Sequence, residues 1–148
     1  MRTSAPISPH FNRTLGIRLV RQHRDGVTVE CPLRPALLNS DSVLHGGVTA
    51  AVADAAVGIA ISRRFGGTQR HTTVELKLNY LLPVAGGKLV ARSRLLRVGR
   101  RLCVGWVDLF DQRKRLVAVA VVTYMLLDAR PPLSQLPSSR RRSAVSGA

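Results

Sequence analysis

Aromatic and acidic residues are both scarce in this chain. Phe, Trp and Tyr together make up 4% of the 148 residues, which leaves few side chains that could stack on single-stranded nucleic acid. Asp and Glu number 8 against 23 Lys and Arg, which gives a formal net charge of +15. This balance indicates an anionic partner, such as nucleic acid, a membrane surface or a phosphate-rich small molecule. Because aromatic residues are so few, we expect the small molecule and consider nucleic acid unlikely.

Cysteine is also rare, and no metal-binding spacing is visible. Cys31 and Cys103 lie far apart and lack CxxC spacing, which is typical of a reduced, cytoplasmic chain with two packed thiols. Residues 1–15 contain no apolar run of the signal-peptide type, so no secretion signal is expected. The histidines are scattered without a second ligand at helical or finger spacing, at His10, His23, His45 and His71. The sequence therefore predicts neither a metal site nor a cofactor.

The longest apolar stretch, residues 48–64, is rich in alanine and is predicted to be a helix. Arg63 and Arg64 stand at its end, where cations are favourable, and Gly66 follows as a stop. The stretch is apolar nearly all round apart from Asp54, so it should be buried by other elements. A membrane span is disfavoured, because residues 43–61 contain His45 and Asp54.

Asp54 is the candidate functional residue of this helix. A carboxylate in an apolar helix must be paired, solvated in a cleft or raised in pKa. Three of the four residues one turn away are small, which leaves room above the acid; these neighbours are Ala50, Ala51, Val57 and Gly58. Gly46 and Gly47 precede the helix, where free N–H groups favour negative charge. Gly47 and Asp54 would lie roughly 10 Å apart along the axis, too far to act on one small group from one helix.

The remaining patterns predict antiparallel strands within a single domain. Residues 16–22 and 27–33 alternate around Asp25-Gly26, a hairpin signal. Residues 73–82 alternate clearly, with Val74, Leu76, Leu78 and Tyr80 on one face and Thr73 on the other. Residues 88–98, 102–110 and 115–127 follow after short turns, so the four successive strands predict an antiparallel meander. The fold class is α+β, with about six strands wrapped around one long central helix.

The two ends of the chain are predicted to lie outside this domain. Residues 1–10 are expected to form an irregular arm, residues 11–128 the domain, and residues 129–148 a disordered basic tail. Arginines 140–142 could touch nucleic acid or acidic lipid, but a solvated tail is the favoured interpretation.

Several residues resemble those of one branch of the hot-dog fold, the PaaI-like acyl-CoA thioesterases. The resemblance covers residues 11–127 and is carried by Asn39, His45-Gly46-Gly47, Asp54, the segment TVELKLNYLLP at 73–83, Gly99-Arg100 and Ala118. It implies hydrolysis of an acyl-CoA thioester to a carboxylic acid and coenzyme A. It also implies that the twisted sheet wraps the long helix.

The resemblance further implies a role for each matched residue. Asp54 would be the catalytic acid, acting as general base or nucleophile, with the Thr73 hydroxyl beside it. The Gly46 N–H would stabilise oxyanion charge, and Asn39 and His45 would help to hold the carbonyl or the attacking water. Each site would be built across the interface of a homodimer, which could join further into a homotetramer.

Substrate contacts are expected at further positions: Gly47, Gly58, Tyr80, Gly99, Arg100 and Arg101. Arg100 and Arg101 could bind the phosphates of coenzyme A, with Arg63, Arg64 or Arg70 as further candidates. The acyl group is expected to contact Val57, Ile61 and Tyr80.

The alternatives to this interpretation are of three kinds. The domain could be a non-catalytic acyl-CoA sensor or interaction module, or a hot-dog hydratase or dehydratase. Asp54 could be a structural acid that pairs with a buried arginine or caps a strand, and His45 a packed loop histidine. Thr73 could equally be an ordinary β-branched strand residue. The loop also departs from the family, because Ser42 stands where a glycine is frequent and Asp41 adds a second carboxylate.

Overall fold

One long helix lies against a six-stranded antiparallel sheet in the computed structural model, which describes residues 10–129. The elements in chain order are α1 (His10–Leu15), β1 (Arg18–Gln22), β2 (Val27–Pro32), a 3₁₀ turn (Pro35–Leu37), α2 (Gly46–Arg64), β3 (Arg70–Tyr80), β4 (Lys88–Val98), β5 (Leu102–Phe110) and β6 (Leu116–Leu127). The predicted arm and tail lie, apart from residues 10 and 129, outside the described residues.

The order of strands across the sheet is β1-β2-β4-β5-β6-β3. The prediction of a four-strand meander is therefore wrong for β3, which pairs with β6 at the edge of the sheet while β4 pairs with β2. A hydrophobic pattern shows that a segment forms a strand, but it does not specify which strand lies beside it. The edge position leaves one side of β3 without a partner strand among residues 10–129.

Helix α2 forms the centre of the core. Ten of its residues are buried, and the sheet approaches it closely. A Cβ on Gly105 of β5 would lie 2.7 Å from both Val57 methyl carbons, so only glycine fits opposite Val57. Within residues 10–129, α2 is the one helix long and apolar enough to cross a membrane, and half of that stretch is buried inside the fold. Its burial is that of a core helix.

A bulge in β3 determines which of its side chains face α2. Thr73 pairs with Tyr124 and Glu75 with Thr123, so Val74 is an extra residue without a partner. The alternation shifts by one there, which places Thr73 on the same side as Leu76 and Tyr80. The predicted assignment of Thr73 to the opposite face is therefore wrong.

The first hairpin forms as expected, although its turn is displaced by one residue. His23 N donates to Gly26 O at 2.8 Å, so Arg24 and Asp25 are the two turn residues. A Cβ on Gly26 would overlap Ser93 O of β4. Glycine is needed at this position for the close approach of two strands.

Candidate active site

Asp54 lies midway along α2, half-buried, and its carboxylate is held by a hydroxyl group. Thr73 Oγ1 donates a hydrogen bond to Asp54 Oδ1 at 2.8 Å. No described lysine or arginine forms a salt bridge with Asp54. The interpretation of Asp54 as a structural acid paired with an arginine therefore has no support within residues 10–129. Within residues 10–129 no hydrogen bond to Oδ2 is formed, so this oxygen is open to water or substrate.

Tyr124 of β6 holds the main chain of the same residue. Its hydroxyl donates to the Asp54 carbonyl oxygen at 2.9 Å, and only 6% of the residue is exposed. A Cβ on Gly58 would lie 2.8 Å from the Tyr124 hydroxyl oxygen. The space above Gly58, expected to receive substrate, is therefore occupied by Tyr124.

The beginning of α2 forms a second group of candidate residues. His45 is the N-cap, and its Nδ1 accepts a hydrogen bond from Gly47 N at 2.9 Å. The Gly47 amide is thus engaged, whereas the Gly46 amide has no partner among the described residues. Tyr80, at the end of β3, donates its hydroxyl hydrogen to Gly46 O at 2.5 Å. The one amide left free at this terminus is that of Gly46, which agrees with the oxyanion role inferred from the resemblance.

Asn39 belongs to the loop before α2. Its side-chain oxygen accepts hydrogen bonds from Asp41 N at 3.0 Å and Val43 N at 3.2 Å. Ser42 has φ 60°, in the left-handed region that favours glycine. Because Asn39 Oδ1 organises the loop, its amide nitrogen is the group left to donate a hydrogen bond.

A cleft of about 510 Å³ opens beside these residues. Its lining is largely apolar and consists of Asn39, Val43, Leu44, Gly46, Gly47, Thr49, Tyr80, Leu81, Leu82, Pro83, Val84 and Val117. Asp54 does not line it. Gly46 and Asp54 are eight residues apart on one helix, roughly 12 Å along its axis. The structure therefore places the predicted site residues in two groups, Asp54–Thr73 and the cleft, at opposite ends of one stretch of β3.

The predicted phosphate-binding arginines lie near the start of β3, at the end away from the 510 Å³ cleft. Arg100 and Arg101 form the β4–β5 turn and line a polar cleft of about 530 Å³ with Gln69 and residues 126–129. Arg70 reaches the same region, where its Nη1 donates to Asp128 O at 2.7 Å. Gly99 is held in the turn by its amide, which donates to Leu102 O at 2.8 Å.

The remaining predicted positions lie at the end of α2 or in the core. Arg63 and Arg64 end α2. Val57 and Ile61, expected to contact the acyl group, are fully buried in the core. Within residues 10–129 no three His, Cys, Asp or Glu side chains are grouped as metal ligands would be.

Sequence reasoning did not find Tyr124. A single tyrosine in an apolar strand is usually a core residue with its hydroxyl at the surface. The available signal was Gly58, a glycine inside a helix that otherwise favours alanine. Such a glycine indicates a close approach by another group, but not which group.

Residues 41–118, which include His45, Asp54 and Thr73, match the thioesterase superfamily. The chain belongs to this superfamily, and it is a thioester hydrolase. It is 31% identical to the medium/long-chain acyl-CoA thioesterase YigI of Escherichia coli K12, in an alignment that covers 78% of this chain and 84% of that protein.

Solved structures agree in fold. The thioesterase HI1161 of Haemophilus influenzae is 26% identical and superimposes with a TM-score of 0.77, over 82% of this chain and 85% of that one. A mutant of the phenylacetic acid degradation protein PaaI of Thermus thermophilus, 24% identical, gives a TM-score of 0.71 over 79% and 98% of the two chains. The expected PaaI-like hot-dog fold is confirmed.

Proposed function

We propose that this protein hydrolyses acyl-CoA thioesters to a carboxylic acid and coenzyme A, with Asp54 as the catalytic acid. The observation that carries the proposal is the 2.8 Å hydrogen bond from Thr73 to Asp54 Oδ1, which orients the carboxylate while Oδ2 stays available. The acyl-CoA activity in the name of the YigI relative supports the same substrate class.

Asp54 has two possible chemical roles in this reaction. As a general base, it takes a proton from a water molecule that attacks the thioester carbonyl carbon. As a nucleophile, it attacks that carbon itself and forms a mixed anhydride, which water then hydrolyses. In both routes the carbon–sulfur bond breaks and coenzyme A leaves with its thiol protonated.

The beginning of α2 supplies the groups that stabilise the oxyanion. The free Gly46 N–H lies at the positive end of the helix dipole, where developing negative charge is favoured. His45 accepts at Nδ1, so its neutral ring carries the proton on Nε2 and can donate from there. The Asn39 amide nitrogen is a third donor beside the same cleft.

The two groups of residues would combine in a homodimer. If the free edge of β3 pairs with the β3 edge of a second copy, a two-fold axis near the middle of the strand makes the pairing antiparallel. Thr73 of one copy then lies near Tyr80 of the other, which brings Asp54 to the partner's cleft. The exposed side chains of Val74, Leu81 and Leu82 would be covered at such an interface.

Two dimers would join into a homotetramer through the outer sheet face, where Trp106 lies half-buried. Arg100 and Arg101 would bind the phosphates of coenzyme A. A cytoplasmic location is supported by the two free, buried thiols, Cys31 and Cys103.

The test is thiol release from a panel of acyl-CoAs by the wild type and by Asp54→Asn. The amide cannot act as base or nucleophile, so kcat should fall by about a hundredfold or more. Asp41→Asn is the matched control, because it removes a nearby exposed carboxylate and should retain activity. Saturable acyl-CoA binding without turnover by the wild type would instead identify a sensor.

A further inference from the structure

Tyr124 and Thr73 hold the same residue of α2 through two different groups. The two residues lie opposite each other in the β3–β6 ladder. Thr73 donates to the Asp54 carboxylate at 2.8 Å, and Tyr124 donates to the Asp54 carbonyl at 2.9 Å. The side chain and the main chain of Asp54 are therefore fixed by neighbouring positions of one sheet.

The ring of Tyr124 fits into a space that the surrounding residues leave for it. Gly58 has no side chain where the hydroxyl passes, since a Cβ there would lie 2.8 Å from the hydroxyl oxygen. His71 packs edge-on against the ring, with 5.3 Å between the ring centroids, and its Nδ1–H donates to Gln69 O at 3.0 Å. These contacts with Gly58 and His71 limit the movement of the ring.

The phenol also remains a donor at every working pH. Burial raises the pKa of Tyr124 well above its usual value, and the nearby Asp54 carboxylate adds to that rise. The hydroxyl therefore stays protonated, and its hydrogen bond to Asp54 does not depend on pH in the range where the enzyme is assayed.

We propose that Tyr124 is the positioning residue of the catalytic acid, fixing the Asp54 main chain so that its carboxylate meets Thr73 and the substrate in one orientation. The inference rests on the proposed function. A displacement of about 1 Å in a reacting group can cost a hundredfold in rate. A hydroxyl that fixes the backbone of that group therefore affects turnover without touching substrate.

The test compares Tyr124→Phe with Ser93→Ala. Ser93 is a matched control because its hydroxyl also joins a strand to an α2 carbonyl, that of Ala56 at 3.0 Å. Ala56 follows Asp54 by two residues, so its carbonyl lies roughly 200° further around the helix. Tyr124→Phe should lower kcat by about tenfold or more with KM nearly unchanged, since orientation is lost and binding is not. Ser93→Ala should leave kcat unchanged even if the melting temperature falls further.

A second readout does not require turnover. The ¹³C resonance of the Asp54 carboxyl group, assigned with Asp54→Asn, should shift or broaden in Tyr124→Phe and stay in place in Ser93→Ala. Equal kcat losses in both variants, or a wild-type kcat in Tyr124→Phe, would overturn the proposal. If the wild type hydrolyses no acyl-CoA, the proposed function fails separately, and an unchanged carboxyl resonance in Tyr124→Phe would overturn the positioning role as well.

Discussion

At the scale of single residues, the loop before α2 combines one organising side chain with one strained backbone position. Asn39 accepts hydrogen bonds from two loop amides, and Ser42 adopts φ 60°. The left-handed conformation costs a residue with a Cβ roughly 1–2 kcal/mol. Asn39 lines the cleft beside this turn.

Ser42→Gly should therefore raise the free energy of unfolding, by about 0.5 kcal/mol, because the relief of strain exceeds the extra chain entropy of glycine. Chemical denaturation measures the change. Ser40→Gly is the control, since Ser40 lies in the same loop and has no positive φ. It should lower stability, and a change of the same sign in both variants would contradict the explanation.

The candidate site could be predicted from sequence at positions where the proposed chemistry requires a particular residue type. Asp54 is conspicuous as the one acid of an apolar helix, and Gly46 as part of a glycine pair at its start. Tyr124 was not predictable, because its hydrogen bond depends on a pairing with Thr73 that lies 51 positions earlier in the chain. The position of the Tyr124 hydroxyl over Gly58 depends on the same pairing.

At the scale of elements, the beginning of α2 leaves one backbone amide without a partner among residues 10–129. The His45 side chain caps Gly47 and leaves the Gly46 N–H free. His45 itself has φ −59° and ψ 132°, an extended conformation that a following proline accepts. Proline is well tolerated at the first position of a helix, where it removes an N–H that the helix does not use.

Comparison of Gly46→Pro with Gly46→Ala therefore separates the effect of losing the amide N–H from the effect of adding a Cβ. Both add a Cβ, which would lie 3.0 Å from the Tyr80 hydroxyl, but only proline lacks the N–H. We expect kcat of the proline variant to be about a hundredfold below that of the alanine variant, the usual effect of losing one oxyanion donor. Steady-state kinetics test this, and equal kcat values would exclude the Gly46 amide as that donor.

The first and last residues of the strands were easier to predict than which strands lie side by side in the sheet. Glycine and proline mark strand ends, so the predicted bounds of β4 and β5 match the structure. The neighbours of β3 were not predictable, because its pairing with β6 depends on contacts distant in sequence. The bulge at Val74 was hidden by an alternation that reads as regular in the sequence.

At the scale of the whole molecule, one chain holds its candidate site residues in two separate groups. Asp54 with Thr73 lies towards the start of β3, and Gly46 with Tyr80 lies at its end. Pairing of two β3 edges would complete two sites at once, each with an acid from one copy and an oxyanion donor from the other.

Mixing two inactive variants tests this arrangement. Asp54→Asn and Gly46→Pro each impair both sites of their own dimer, but a mixed dimer carries one intact site and one with both changes. After unfolding and refolding together at equal amounts, activity should return to about a quarter of the wild-type value by random association. No recovery in verified mixed dimers would mean that each site is built from one chain.

Whether the positive charge of the molecule helps to bind the phosphates of coenzyme A can be tested at the β4–β5 turn. Replacement of Arg100 and Arg101 by glutamine should raise KM for acyl-CoA about tenfold, since charge-assisted hydrogen bonds to phosphate are lost. The control is the same double change at Arg113 and Lys114, in the turn at the opposite end of β5. With acyl-pantetheine substrates, which lack the nucleotide phosphates, neither double variant should differ from wild type, and a KM increase there would contradict phosphate binding.

Val74 affects the position of Thr73 through its backbone and not through its side chain. Its side chain is half exposed, and it has no partner in β6, yet its backbone shifts Thr73 towards Asp54. A one-residue gap at this point would turn the Thr73 hydroxyl away from the acid. The number of residues in β3 therefore determines whether Thr73 faces Asp54.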